Sequence, residues 1–283
     1  MATFGAMMFP TDYAIQPVEL AQAVEERGLE SLFFPEHTHI PTSRQSPWPG
    51  GGDLPMEYWH THDPFVALTA AAVATKKIKL GTGICLVIER DPITLAKEVA
   101  SLDVISNGRV IFGIGGGWNA EEMANHGTPF KQRWKILREK VLAMRELWTK
   151  ETPEFHGEFV NFDPVWCFPK PVQAGGPPVL LGSEAKKAFE RVVDYCDGWM
   201  PINRPGNQLE QGVKTLRETA ERAGRKFESL QLGVFGATPK EDKVKQLIDW
   251  GFQDIIFGLP PAKSDKVLPI LDKYGEIAQR LRS

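Results

Sequence analysis

The stretch Thr3-Phe4-Gly5-Ala6-Met7-Met8-Phe9-Pro10-Thr11-Asp12 separates two candidate folds. Its opening, 3–9, is a short, nearly continuous apolar run, the pattern of a parallel strand buried on both faces. An open, doubly wound α/β sheet would place a phosphate-binding glycine loop directly after such a first strand. That position reads Phe9-Pro10-Thr11-Asp12 and holds no glycine. Runs of the same kind recur at 31–35, 79–87, 110–115, 179–182, 198–202, 231–236 and 254–257. Amphipathic helical stretches fill the gaps. Pro17 stands where a helix prefers to begin, and Val18, Ala21 and Val24 form a stripe that ends at Gly28. Trp134, Leu137, Val141, Met144 and Trp148 recur at spacings of three and four, and Leu268, Leu271, Ala278 and Leu281 near the end keep the same helical period at spacings of three and seven. These stripes read as packing faces. Eight strand–helix alternations without a break in composition predict one closed (β/α)8 TIM barrel of the α/β class, with inserted loops, over residues 1–283 as a single domain.

Composition agrees with that size of unit. The 283 residues are 42% hydrophobic and 24% charged, which supplies one large core. A net charge of −3 gives no electrostatic reason to expect a nucleic-acid or membrane partner. Cys85, Cys167 and Cys196 are widely spaced and form no CxxC pair, so neither a disulfide framework nor a thiolate metal site is indicated. Met1-Ala2-Thr3-Phe4-Gly5 lacks the basic start of a signal peptide. No apolar run approaches the roughly 20 residues needed to span a bilayer. The expectation is a cytoplasmic protein that acts on a small molecule.

Two stretches interrupt the alternation. Residues 37–62 are rich in Pro, Gly and aromatics, including Trp48, Tyr58 and Trp59, and follow the second strand. They emerge at the C-terminal face of the barrel, where lids over active sites belong. Residues 152–178 read as a short hairpin around 154–160, between the fourth helix and the fifth strand.

Four strand ends hold residues suited to chemistry. Gly113-Ile114-Gly115-Gly116-Gly117-Trp118-Asn119 removes every Cβ from a turn after the fourth strand, so backbone N–H groups there can approach a flat ring or an anion. A tight turn alone explains one of these glycines better than three. Phe33-Phe34-Pro35-Glu36-His37-Thr38-His39 places titratable groups at the catalytic end of the second strand, where a histidine can exchange a proton near neutral pH. His-x-His also suits a metal, but the ends of strands five, six and eight, Gly182-Ser183, Met200-Pro201 and Phe257-Gly258, add no ligand, and no metal is expected. Gly81-Thr82-Gly83-Ile84-Cys85-Leu86-Val87 has two glycines inside a β run, the mark of a bulge. There Ile84 suits the wall behind a planar ring, and Cys85 reads as a buried filler. Gly182-Ser183-Glu184 opens a predicted helix over 184–195, and Ser183 serves there as an N-cap, an anion contact, or both.

Taken together, these strand ends resemble the luciferase-like monooxygenase superfamily of flavin and deazaflavin barrels. The likeness spans nearly the whole chain. It is most specific over Gly81-Thr82-Gly83, Arg90-Asp91-Pro92-Ile93-Thr94-Leu95-Ala96-Lys97-Glu98, Leu102-Asp103-Val104-Ile105-Ser106-Asn107-Gly108-Arg109-Val110 and Gly113 to Trp118, with Gly127-Thr128-Pro129-Phe130 and Arg133 downstream. Within the superfamily it is most similar to the class that uses the deazaflavin coenzyme F420. That resemblance implies a non-proline cis peptide at Gly83–Ile84, with Gly83, Ile84 and Cys85 backing the ring. Glu36 and His37 match the acidic–His pair assigned to proton handling. Gly115, Gly116, Gly117 and Trp118 match the loop beside the cofactor, and Gly182 with Ser183 the phosphate-contacting turn. The sugar-phosphate dehydrogenase branch carries a proton-donating glutamate where Trp118 stands, so that activity is not expected.

The activity implied is F420-dependent hydride transfer to or from an organic substrate. Three further implications accompany it. An FMN-dependent monooxygenase on the same scaffold would draw reduced flavin from a separate reductase. A barrel that binds flavin or deazaflavin without turnover is a third reading. Relatives of this type are usually homodimers.

Overall fold

In the computed structural model, which describes residues 2–282, β1 (Thr3–Met7) is followed by α1 (Pro17–Glu26), β2 (Ser31–Phe34), the short α2 (Glu57–His60) and α3 (Pro64–Ala74). Next come β3 (Lys79–Thr82), α4 (Pro92–Ser106), β4 (Val110–Ile114), α5 (Ala120–Asn125) and α6 (Arg133–Thr149). A small hairpin of β5 (Phe155–His156) and β6 (Asn161–Phe162) precedes β7 (Val179–Leu181), α7 (Ala188–Tyr195), β8 (Gly198–Trp199) and α8 (Leu209–Arg222). After these stand β9 (Gln231–Phe235), α9 (Glu241–Asp249), β10 (Asp254–Gly258) and α10 (Ser264–Arg282). Eight of the strands close into a parallel barrel in the order β1-β2-β3-β4-β7-β8-β9-β10, with β10 pairing back onto β1. The chain is a (β/α)8 barrel.

Each strand is apolar on both faces because it is covered twice. Inside the barrel Phe33, Ile111, Leu180, Met200, Phe235 and Ile256 pack as one cluster, with Phe33 and Phe235 edge to face at 5.2 Å. Gly81 makes room for that layer, since a Cβ there would stand 2.2 Å from the Phe33 ring. Outside, Leu20, Leu68, Val99, Leu137, Val192 and Leu216 bury one face each of α1, α3, α4, α6, α7 and α8. Each such side chain contributes about 1.5–3 kcal/mol.

The helices that frame the site start on Asp-Pro. Asp63 accepts the N–H groups of Phe65 and Val66 at 2.9 and 3.1 Å, and Asp91 accepts that of Thr94 at 2.8 Å. Proline follows each cap at N1, where its missing N–H is not needed. At the other end of α4, Asn107 turns left-handed (φ 56°) and Arg109 reaches back beneath the barrel. Its buried guanidinium makes five hydrogen bonds, to Ser106 O, Thr75 Oγ1, Ile78 O, Ala72 O and Thr75 O. It thereby caps the C-terminal ends of both α3 and α4.

Several predicted boundaries move. The run 79–87 is not one strand. Gly83 N still donates to Phe34 O at 2.8 Å, but on the other side pairing resumes only at Cys85, whose N–H donates to Gly113 O at 2.8 Å. The residues between bulge out of the ladder, the Gly83–Ile84 peptide is cis, and Val87–Glu89 forms a 3-10 turn. The helix expected over 184–195 begins at Ala188, because Ser183 to Lys187 run as a loop along the barrel rim. In α1 the stripe is Leu20, Ala21, Ala23 and Val24, and Val18 is exposed. The hairpin forms at β5–β6, held to α6 by Glu139, which accepts the N–H groups of Glu158, Phe159 and Val160.

Candidate active site

A cleft of about 320 Å³ opens at the C-terminal ends of β3, β4, β7 and β8. Its floor is Ile84, which the bulge after β3 lifts to the top of the inner cluster. Two glycines let this side chain lie flush with its surroundings. A Cβ on Gly115 would stand 2.6 Å from Ile84 Cδ1, and one on Gly182 2.6 Å from Ile84 Cγ2. Gly116 and Gly117 continue the rim for a similar reason. Cβ atoms there would meet the Trp134 indole at 2.5 Å and Met123 Cε at 2.6 Å, and Gly117 also has a positive φ of 63°. Trp118 and Ser183 line the same cleft, and Pro49 brings in the lid. Ser183 Oγ accepts the Ala185 N–H at 3.1 Å, a local turn rather than the cap of α7.

One end of the cleft is cationic. The Arg133 guanidinium lies 3.8 Å from the Phe130 ring centroid, and Arg191 lies 4.0 Å from that of Trp134. Burial and the neighbouring charge of Arg191 hold Arg133 below its ordinary pKa. Its Nε is buried without a hydrogen-bond partner among the described residues. Like charges held together around an orphaned N–H make a pocket suited to an anion.

The acidic–His pair divides. Glu36 is buried and committed: it accepts the Leu86 N–H and the Arg90 Nε, both at 2.6 Å, and fastens the segment beyond the bulge. Arg90 is shared with Asp63 and Glu98. Glu36 therefore anchors structure and does not partner His37. His37 instead directs Nδ1 to Glu122 Oε2 at 2.7 Å, leaving Nε2 without a partner among the described residues. Its ring packs at 5.7 Å from Trp118 and 5.2 Å from Tyr58, one aromatic contact away from the cleft. His39 turns away, to Thr38 and Asn125.

Cys85 is the buried filler that its apolar neighbours in the sequence suggest. Its thiol is fully buried, and burial together with Glu36 pushes it well above the ordinary range. Its backbone is spent on Gly113 and Gly115, so it supports the wall and does not face the cleft. Gly83 faces inward, where a Cβ would meet Phe235 at 3.0 Å. The cleft thus unites Ile84, Gly115, Gly116, Gly117, Trp118, Gly182 and Ser183, and leaves Glu36, His37, Gly83 and Cys85 behind or beneath it.

Three site residues escape a reading of the sequence. Glu122 sits at the third position after Asn119, whose side chain accepts the Glu122 N–H at 3.2 Å, so it reads as half of a capping box. Its place in the first turn after the glycine loop was the available signal. Trp134 belongs to a packing stripe and also walls the cleft. Glu89 lies beyond the bulge with its carboxyl against Glu122, and burial followed by the Glu122 charge pushes it up to about 9.

A parallel barrel with a glycine-rimmed cleft and a buried His–Glu pair at its C-terminal face defines an α/β-barrel enzyme scaffold. Residues 10–267 match the family described as luciferase-like monooxygenase. An uncharacterized protein of Mycobacterium tuberculosis is 38% identical over 95% of this chain and 96% of its own length. The F420-dependent glucose-6-phosphate dehydrogenase of Amycolatopsis mediterranei is 32% identical over 75% of this chain and 63% of its own. Among solved structures, an F420-dependent secondary alcohol dehydrogenase with an F420–acetone adduct superposes with a TM-score of 0.80, covering 100% of this chain and 99% of that one at 18% identity. The chain belongs to the luciferase-like monooxygenase family.

Proposed function

We propose that this chain uses coenzyme F420 to move a hydride to or from a small organic substrate, with His37 handling the accompanying proton. One observation carries the reading: Ile84 lies as a flat apolar shelf between Gly115 and Gly182, with the Arg133 guanidinium, which forms no ion pair among the described residues, at one end of the cleft. A planar tricyclic ring with an anionic side chain needs this combination of shelf, approachable backbone and cations. The missing Cβ atoms and the orphaned Arg133 Nε are features such a group would fill. When bound, a deazaflavin supplies hydride transfer and reacts poorly with oxygen, whereas FMN supplies either hydride or oxygen chemistry.

The chain's own residues would do the rest. Ile84 backs the ring, and Gly115, Gly116, Gly117 and Trp118 present the rim to its polar edge. Gly182, Ser183 and Arg133 would hold the phosphate. His37 keeps Nδ1 on Glu122 and offers Nε2 for proton exchange, while Trp118 and Tyr58 keep water from it. Support for F420 over FMN comes from the 32% identical relative. That relative's sugar-phosphate oxidation is not carried over, because Trp118 occupies the proton donor's place. A homodimer is part of the proposal, and α3 and α4 offer a face for it in exposed Val66, Val73 and Ile105.

Titration of the purified protein with F420 and, separately, with FMN tests the assignment through quenching of fluorescence. Micromolar binding of F420 is expected. Binding of FMN alone would replace the deazaflavin by a flavin and revive the reductase-fed monooxygenase. Binding of neither would remove the cofactor.

A further inference from the structure

Beneath His37, on the side away from the cleft, lies a buried group of acids that hydride transfer does not itself require. The side chains of His37 and Glu122 are 7% and 0% exposed. Glu122 also accepts the Thr38 N–H through Oε1 at 3.0 Å, which fixes the carboxyl in place. The Glu89 side chain, 1% exposed, meets Glu122, and its Oε2 has no hydrogen-bond partner among the described residues.

The charges facing Glu89 can be named. They are Glu122 on α5, Glu36 after β2, Arg90 next in the chain, Lys140 on α6, and His126 at the C-terminal end of α5. Arg90 is engaged by Glu36, Asp63 and Glu98. Lys140 Nζ donates to Ile88 O and Arg90 O at 3.1 and 2.7 Å. Neither cation forms an ion pair with Glu89 or Glu122 among the described residues, and two touching carboxyls in a dry site cannot both ionise. His126 Nε2, hydrogen-bonded to Thr38 Oγ1 at 2.7 Å, stands 3.9 Å from Glu89 Oε2 at the partly exposed edge of the group. Burial and the neighbouring His39 hold His126 below its ordinary pKa, which favours its neutral form.

We infer that Glu89 is a positioning residue that keeps its proton and donates it as a hydrogen bond to Glu122, so that Glu122 carries the single negative charge that fixes His37 in the Nδ1–H tautomer and presents Nε2. No bond to substrate forms in this role, and no electrons move. The inference rests on the reading of His37 as the proton-handling group, yet the protonation pattern itself needs no cofactor.

Infrared difference spectroscopy and ¹⁵N NMR of histidine-labelled protein, both without added cofactor, test it. The expected wild-type results are a protonated-carboxyl band at pH 7 that disappears with an inflection near 9, and His37 in the Nδ1–H form. Glu89→Gln should lose the band and the inflection while keeping the tautomer, since the amide still donates to Glu122. Glu122→Gln should lose the Nδ1–H tautomer. Absence of the band in folded wild type, its persistence in Glu89→Gln, or an unchanged His37 tautomer in Glu122→Gln would overturn the inference. Failure of F420 to bind, with these spectra as expected, would instead count against the cofactor alone.

Discussion

Ile84 and Gly182 are the residues on which the cleft depends most directly. A side chain at 182 must occupy space that Ile84 now fills, 2.6 Å from the missing Cβ. Gly182→Val should raise the F420 dissociation constant at least tenfold, about 1.4 kcal/mol, and titration of the folded variant checks this. An unchanged constant would mean that the ring lies elsewhere. At this scale the sequence was informative wherever a residue's role was local. Glycines at 115 to 117 and 182, and isoleucine at 84, are legible because a missing Cβ or a bulge is a property of one position. Glu122 was not, since its partner His37 lies 85 residues away and its position three after the Asn119 cap reads as an ordinary first-turn helix residue. Glu36 shows the complementary limit. It adjoins His37 in sequence, but alternation along an extended chain sends neighbouring side chains to opposite sides, and Arg90 claims the carboxylate.

At the level of elements, buried tethers decide more than helix propensity does. Arg109 satisfies carbonyls at the ends of α3 and α4 with a planar fork of donors that lysine cannot reproduce. Arg109→Lys should therefore lower stability by about 2 kcal/mol, read as a lower urea midpoint with an unchanged slope. A loss under about 0.5 kcal/mol would show that the carbonyls find other partners. Strand and helix order was readable from the alternation of short apolar runs with amphipathic stretches. Their limits were less so. Periodicity cannot show that the run 79–87 breaks at Gly83, because both halves are buried and apolar. Nor can it show that α7 starts at Ala188, because Ser183 and Glu184 suit a helix start as well as a rim loop. Trp134 fits the α6 stripe by spacing, and only the closure of the barrel turns it toward the cleft.

For the whole molecule, the Glu89 carboxyl couples folding to pH. Unfolded, it ionises in the ordinary carboxylate range, near 4.5; folded, it keeps its proton up to about 9. The folded chain binds more protons across that window, so this group's stabilising share is complete below 4.5 and is lost as pH rises towards 9. Glu89→Gln should gain in melting temperature relative to wild type as pH goes from 6 to 9, and a constant difference would contradict the coupling. The exposed apolar face of α3 and α4 sets a second expectation. Val66→Glu with Val73→Glu should convert a dimer to a monomer by light scattering, whereas an unchanged mass would place the interface elsewhere. No helix among the described residues is long and apolar enough to cross a membrane.

The central claim is that a flavin-type ring lies on Ile84, and a crystal structure of the protein with F420 bound tests it most directly. The expected result is the ring face against Ile84, between Gly115 and Gly182, with the anionic tail toward Arg133. A ring bound instead in the neighbouring groove beside Trp199 and Gly212, with the Ile84 cleft collapsed, would contradict it.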